Sequence, residues 1–232
     1  VRPLSLAADL FPPCVAVHAL HLDAPSEADL DTFRELALPE QLATAVLKRR
    51  VEFLAGRYCA RAALRIQAPE LAELAVAAGE QREPLWPSGI AGAISHTSGY
   101  AAAAIARASD ARGIGLDIER WVKATAPETI GSHVSHPGEL EALVAQTGWS
   151  ASEALTLVFS AKEAVYKCLY PEVRRYFGFH DATIERIDVE RGTFVARLAV
   201  ALTEGLPAGF ALEGRFERRD DVIVTALILT RR

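Results

Sequence analysis

Several features are scarce in this 232-residue sequence, and each scarcity closes off a class of protein. Lys and Arg number 25 against 30 Asp and Glu, a net charge of −5. That balance argues against a general nucleic-acid binder, which needs a basic face for phosphates. No apolar run approaches the roughly 18 residues that cross a bilayer. The first residues also lack a charged segment followed by an apolar core and a cleavage site. The expectation is a cytoplasmic protein with no membrane partner. Only three cysteines occur, Cys14, Cys59 and Cys168, far apart and in apolar surroundings. They suit buried free thiols rather than a disulfide framework or a metal site. The sequence shows no repeat of 20–50 residues, no P-loop and no GxGxxG.

What is present is a chain that is 50% apolar, long enough for one large domain or two small ones with a substantial core. Residues 14–22 read as a strand and 27–36 as a helix. The longest helix is expected over about 40–66, with Leu47, Val51, Leu54, Tyr58 and Ala62 as its apolar stripe. Its other face is basic. Arg50, Arg57, Arg61 and Arg65, flanked by Arg49, form either a solvated face or an anion site, since guanidinium groups match phosphate oxygens. Residues 79–88 contain two prolines and read as a loop bearing Arg82 and Trp86.

Three short extended stretches follow, at 91–96, 100–106 and 113–119, and their close spacing predicts an antiparallel meander. Ser95 and His96 end the first. In the third, Asp117 and Glu119 share one face, while Ile114, Leu116 and Ile118 point into the core. Like charges so placed belong either to a solvated strand end or around a cation, and hard oxygens suit Mg²⁺. Residues 120–137 read as a long connection, where His133 and His136 lack the Cys or third His of a metal site. A short helix over 138–147 and a longer one from Ser150 or Ser152 to about Leu169 come next. Strands at 182–188, 192–200, 208–217 and 222–230 close the chain. This order predicts an α+β fold of two similar halves, 1–117 and 118–232.

Within the last helix, Glu163 and Lys167 are i,i+4 neighbours, which alone is a surface pair contributing roughly 0.2–0.5 kcal/mol. The wider constellation says more. Two strand carboxylates, a helix carboxylate at Glu163, the lysines Lys162 and Lys167 and an arginine-lined helix together suit a Mg²⁺-bound polyphosphate. From the residues alone, phosphoryl-type transfer and diphosphate binding both stand.

Ordered blocks narrow this further: RRVEFLAGRYCAR at 49–61, REPLWP at 82–87, ISHT at 94–97, and GLDIE at 115–119 with FSAKEAVYK at 159–167. GFHDA at 178–182 extends the series. On these the sequence resembles the 4′-phosphopantetheinyl transferases that serve siderophore, polyketide and nonribosomal peptide synthesis. The resemblance implies Mg²⁺-dependent (or Mn²⁺-dependent) transfer of the phosphopantetheine arm of coenzyme A to a serine of an apo acyl or peptidyl carrier protein, releasing adenosine 3′,5′-bisphosphate. It implies pseudo-twofold α+β halves, each a small antiparallel sheet with packed helices, with coenzyme A between them, and a monomer. Asp117, Glu119 and Glu163 match the metal-binding acids, with Glu163 also a base. Lys162 and Lys167 match catalytic lysines near the phosphates. Arg49, Arg57, Arg82, Ser95 and His96 match groups that contact the nucleotide and its phosphates. Gln81 stands where some relatives have lysine, and Thr97 where relatives often have cysteine, a place where backbone would suffice. Arg174 and Arg175 are candidates to meet an acidic carrier. The competing reading is a coenzyme A-binding regulator that has lost transfer.

Overall fold

Two antiparallel sheets, each backed by one long helix, meet along their edge strands. The structure is a computed structural model that describes residues 1–122 and 127–231. The first sheet has β1 (Arg2–Pro3), β2 (Val15–His21), β5 (Ile90–Thr97) and β6 (Tyr100–Arg107), in the order β1-β2-β6-β5. Between β2 and β5 the chain forms α1 (Glu27–Thr32), α2 (Leu47–Gln67) and a hairpin of β3 (Ala77–Ala78) and β4 (Pro84–Leu85). The second sheet has β7 (Ala111–Arg120), β8 (Ala182–Asp188), β9 (Thr193–Leu198), β10 (Ala211–Arg218) and β11 (Val222–Thr230), in the order β7-β11-β10-β9-β8. Before β8 come α3 (Pro127–Val134), α4 (Glu139–Thr147) and α5 (Ala151–Val173).

Residue size explains how closely the layers approach. β6 carries a run of alanines, and its alternation sends Ala101, Ala103 and Ile105 into the core under α2. Ala102, Ala104 and Ala106 face the other way and meet Ile114, Leu116 and Ile118 of β7. The opposite face of β7 begins with Gly113 and Gly115. A Cβ at either glycine would collide with a backbone carbonyl of α5, that of Cys168 or Ala164. Absent side chains therefore let α5 lie on the strand. Ser160 of α5 is tied through its hydroxyl to Thr225 of β11 at 2.8 Å. At its start, Ser150 and Glu153 form a reciprocal capping box.

The α+β class with small antiparallel sheets is borne out, and several boundaries move. β7 leaves the expected meander and pairs with β11, from Arg120↔Val222 to Ala111↔Thr230. The expected division at 117/118 therefore falls inside a strand, and the chain passes between sheets at the turn 108–110 instead. The long helix begins at Leu47, because Glu40–Leu42 is a separate 3₁₀ turn. The loop at 79–88 contains the β3–β4 turn. The connection at 120–137 contains α3, while its residues 123–126 lie outside the described residues. Cys59 and Cys168 are buried free thiols, and Cys14 is partly exposed.

Candidate active site

Two charge clusters form where β5 and β7, the edge strands, lie together. The first is built on β7 and α5. Asp117 is 1% exposed, and its Oδ1 accepts from the Lys167 ammonium at 2.6 Å and from Ser95 Oγ at 2.8 Å. Ser95 Oγ also accepts from Lys167 at 3.0 Å, so β5, β7 and α5 converge on three polar groups. Two residues on, Thr97 Oγ1 donates to Glu119 at 3.3 Å, a contact that the expectation of a backbone-only role at Thr97 missed. Burial and the neighbouring Asp117 push the Glu119 carboxyl up to about 7, with Glu163 adding to the rise against Lys167 and Thr97. Burial also raises Glu163, which Lys167 partly offsets. The i,i+4 pair of the helix surface is not formed, since Lys167 turns to Asp117.

The second cluster joins α2 to β5. Arg49 donates to His96 Nε2 at 2.8 Å. A guanidinium cannot accept, so Nε2 is bare and the neutral ring carries its proton on Nδ1. Burial, Arg49 and Lys167 hold His96 down at about 4, against Asp117. His96 thus lies in the fields of both clusters and is neutral near pH 7. Its Nδ1 stands 3.8 Å from Glu52, a buried acid that sequence reasoning did not single out. The signal was there, since Glu52 lies three, four and seven residues before Ala55, Gly56 and Cys59 on the buried side of α2. Arg57 lies 4.5 Å over the Phe53 ring and donates to the Ala77 carbonyl at 3.3 Å. Its buried Nε has no partner. Burial and then Arg49 lower Arg57 to about 10, the signature of guanidinium groups gathered without a counter-anion. Further along the stripe the charges are met: Arg61 pairs with Glu73 at 2.8 Å and with Glu35 at 3.3 Å, and Arg65 with Glu73, whereas the buried Nε of Arg50, like that of Arg57, has no partner.

A cleft of about 910 Å³ opens beside the first cluster, lined by Glu163, Lys167, Tyr166, Tyr170, Trp86 and Arg82 among others. Arg82 reaches it from the β3–β4 turn with a left-handed backbone, φ 65°. Arg174 borders the same cleft, while Arg175 donates to the Leu202 carbonyl at 3.2 Å.

Lys162 is the site residue that the structure places elsewhere. Its ammonium points away from the cleft into the second core, 2.8 Å from Glu139 and 2.8 Å from the Val134 carbonyl. Adjacent helical residues diverge by about 100°, so the residue before Glu163 cannot share its direction. His136 and His180 engage backbone carbonyls, of His180 and Ser135 respectively.

Among the described residues no three His, Cys, Asp or Glu side chains are already arranged to hold a metal ion. The carboxylates nevertheless suit one. Asp117 Oδ2 is buried and has no hydrogen-bond partner, an acceptor for which an unmade contact is costly. The repulsion that raises Glu119 would be relieved by a cation, and every available donor is a hard oxygen.

Charges of both signs, left incomplete beside an open cleft, are what an enzyme transferring a phosphorylated group needs. Comparison with known proteins makes the class specific. Residues 38–106 match the 4′-phosphopantetheinyl transferase N-terminal domain model, and residues 113–211 match that of the 4′-phosphopantetheinyl transferase superfamily. The gap between them contains the turn at which the chain changes sheets. The chain is 38% identical to 4′-phosphopantetheinyl transferase Npt of Nocardia iowensis, over 80% of this chain and 85% of that protein. It is 34% identical to 4′-phosphopantetheinyl transferase PptT of Mycobacterium tuberculosis, over 83% and 86%. Enterobactin synthase component D of Escherichia coli K12 is 37% identical over 73% and 78%. The chain belongs to the 4′-phosphopantetheinyl transferase superfamily.

Proposed function

We propose that this enzyme moves the 4′-phosphopantetheine arm of coenzyme A to a serine of an apo acyl or peptidyl carrier protein in a Mg²⁺-dependent reaction, releasing adenosine 3′,5′-bisphosphate. One observation carries the reading: the carboxylates of buried Asp117 and half-buried Glu119 and Glu163, with an unpartnered oxygen and one ammonium, cluster beside the cleft, which Glu163 and Lys167 line. Asp117, Glu119 and Glu163 would hold Mg²⁺, which when bound neutralises pyrophosphate oxygens. Arg49 and Arg57, short of an anion, receive a phosphate of the nucleotide, and Arg82, Ser95 and His96 contact the rest. Neutral His96 offers a ring N–H without adding a third positive charge beside Arg49 and Arg57.

In the transfer step the carrier serine oxygen bonds to the phosphorus that bears the pantetheine arm. The bond from that phosphorus to the bridging oxygen breaks, and the electron pair leaves with adenosine 3′,5′-bisphosphate. Glu163 takes the serine proton, and burial raises it toward the range where a carboxylate serves as a base at neutral pH. Lys167, freed from Asp117 as the cluster fills, offsets charge on the transferring group. Two α+β halves in one chain related by a pseudo-twofold, acting as a monomer, complete the reading.

The test is intact-mass analysis of an apo carrier incubated with the enzyme, coenzyme A and Mg²⁺. The carrier should gain one phosphopantetheine, and a chelator should stop the gain. Calorimetric binding of coenzyme A with no mass change on several unrelated apo carriers would favour the regulator instead.

A further inference from the structure

The Lys162–Glu139 ion pair is the most enclosed charge pair among the described residues, both side chains being 1% exposed. Its hydrogen bonds reach three segments. Lys162 Nζ donates to the Val134 carbonyl at the end of α3. Glu139 Oε2 accepts from Lys162 and from the His136 backbone N–H, and its Oε1 accepts from the Ile184 N–H of β8 at 2.7 Å. The α3–α4 corner, α5 and β8 are thus pinned to one ion pair. Next along α5 stands Glu163, and among the described residues no hydrogen bond holds its carboxylate, so the helix alone decides where that group points.

We infer that Lys162 is a positioning residue: its buried pair with Glu139 fixes the rotation of α5 and thereby aims Glu163 at the cleft. Gly113 and Gly115 set the distance of α5 from β7 but present only a flat backbone surface, which leaves rotation about the helix axis to side-chain contacts. Ser160–Thr225 is one such contact; α5 also forms ion pairs with Asp117, Arg112, Arg218 and Glu139, of which Lys162–Glu139 alone is enclosed on both sides. A displacement of about 1 Å at a reacting group costs about 10²-fold in rate, so a modest turn of the helix is enough to silence Glu163.

The kinetic arm of the test rests on the transfer proposed above, and the first arm does not. The sequence has four lysines, Lys48, Lys123, Lys162 and Lys167, so amine acetylation read by mass spectrometry resolves each one. In the wild-type protein Lys162 should stay unlabelled with and without coenzyme A and Mg²⁺, while Lys167 is labelled in the free protein. Labelling of Lys162 that coenzyme A suppresses would place it at the phosphates and overturn the inference, whether or not the protein transfers anything. In the kinetic arm, Lys162→Met should lower kcat per folded molecule by about 10²-fold with KM for coenzyme A unchanged. Combining it with Glu139→Gln removes both charges and keeps an acceptor for the Ile184 N–H, so most of the lost kcat should return. If Lys162→Met does not fold, the paired variant carries this arm alone, and near-wild-type kcat is expected of it. A rise in KM for coenzyme A of about tenfold or more with no recovery in the pair would contradict the inference, as would a Lys162→Met enzyme of wild-type kcat.

Discussion

Two lysines five residues apart on α5 show how the same side chain serves two ends. Lys162 has a carboxylate and a carbonyl at 2.8 Å each, and its partner Glu139 accepts three hydrogen bonds. Lys167 is 24% exposed and faces three acids, of which it pairs with one; Asp117 keeps a bare oxygen, and Glu119 and Glu163 are pushed upward. The buried side of the helix is complete in itself, and the cleft side is complete only with something bound. A closed pair of charges holds structure, whereas an open cluster is where ligands and chemistry enter.

The largest expected effect falls on the open side. Glu163→Gln should cut kcat by about 10²–10⁴-fold with the fold intact, by circular dichroism and a carrier assay run together. On the closed side the loss should appear in stability. Urea unfolding of Lys162→Met should show a cost of about 3–5 kcal/mol, because Glu139 is left buried and unpaired. Smaller is the effect of Gly115→Ala, whose Cβ meets the Ala164 carbonyl. It should destabilise by about 1–3 kcal/mol and lower transfer as α5 is pushed from β7. Smallest is a contrast within α2. Arg57→Ala should raise KM for coenzyme A by about tenfold, a loss of about 1.4 kcal/mol, whereas Arg61→Ala should leave KM unchanged, its charge being already met by Glu73 and Glu35. Equal effects at the two arginines would erase the distinction between open and closed clusters.

Much of this was legible in the sequence where a local rule decides it. Period-two alternation put Asp117 and Glu119 on one face of β7 and its isoleucines in the core, and of the two serines offered as the cap of α5, Ser150 is the one that caps it. The pairing of β7 with β11 was not legible, because it joins segments a hundred residues apart and the turn at 108–110 looks like any hairpin turn. Lys162 was misplaced for a different reason. The FSAKEAVYK block groups it with Glu163 and Lys167, yet it lies four residues after Val158, three before Val165 and seven before Leu169, on the buried stripe of the helix. Helical period outweighs adjacency there. The partner, Glu139, sits at the first turn of α4, where an acid is ordinary and draws no notice.

The most direct measurement is a time course of carrier mass with wild-type enzyme and Glu163→Gln in parallel, both with coenzyme A and Mg²⁺. The account predicts one added phosphopantetheine for the wild type and, over the same interval, almost none for the variant. An unmodified carrier with the wild type, or equal rates for the two proteins, would contradict it.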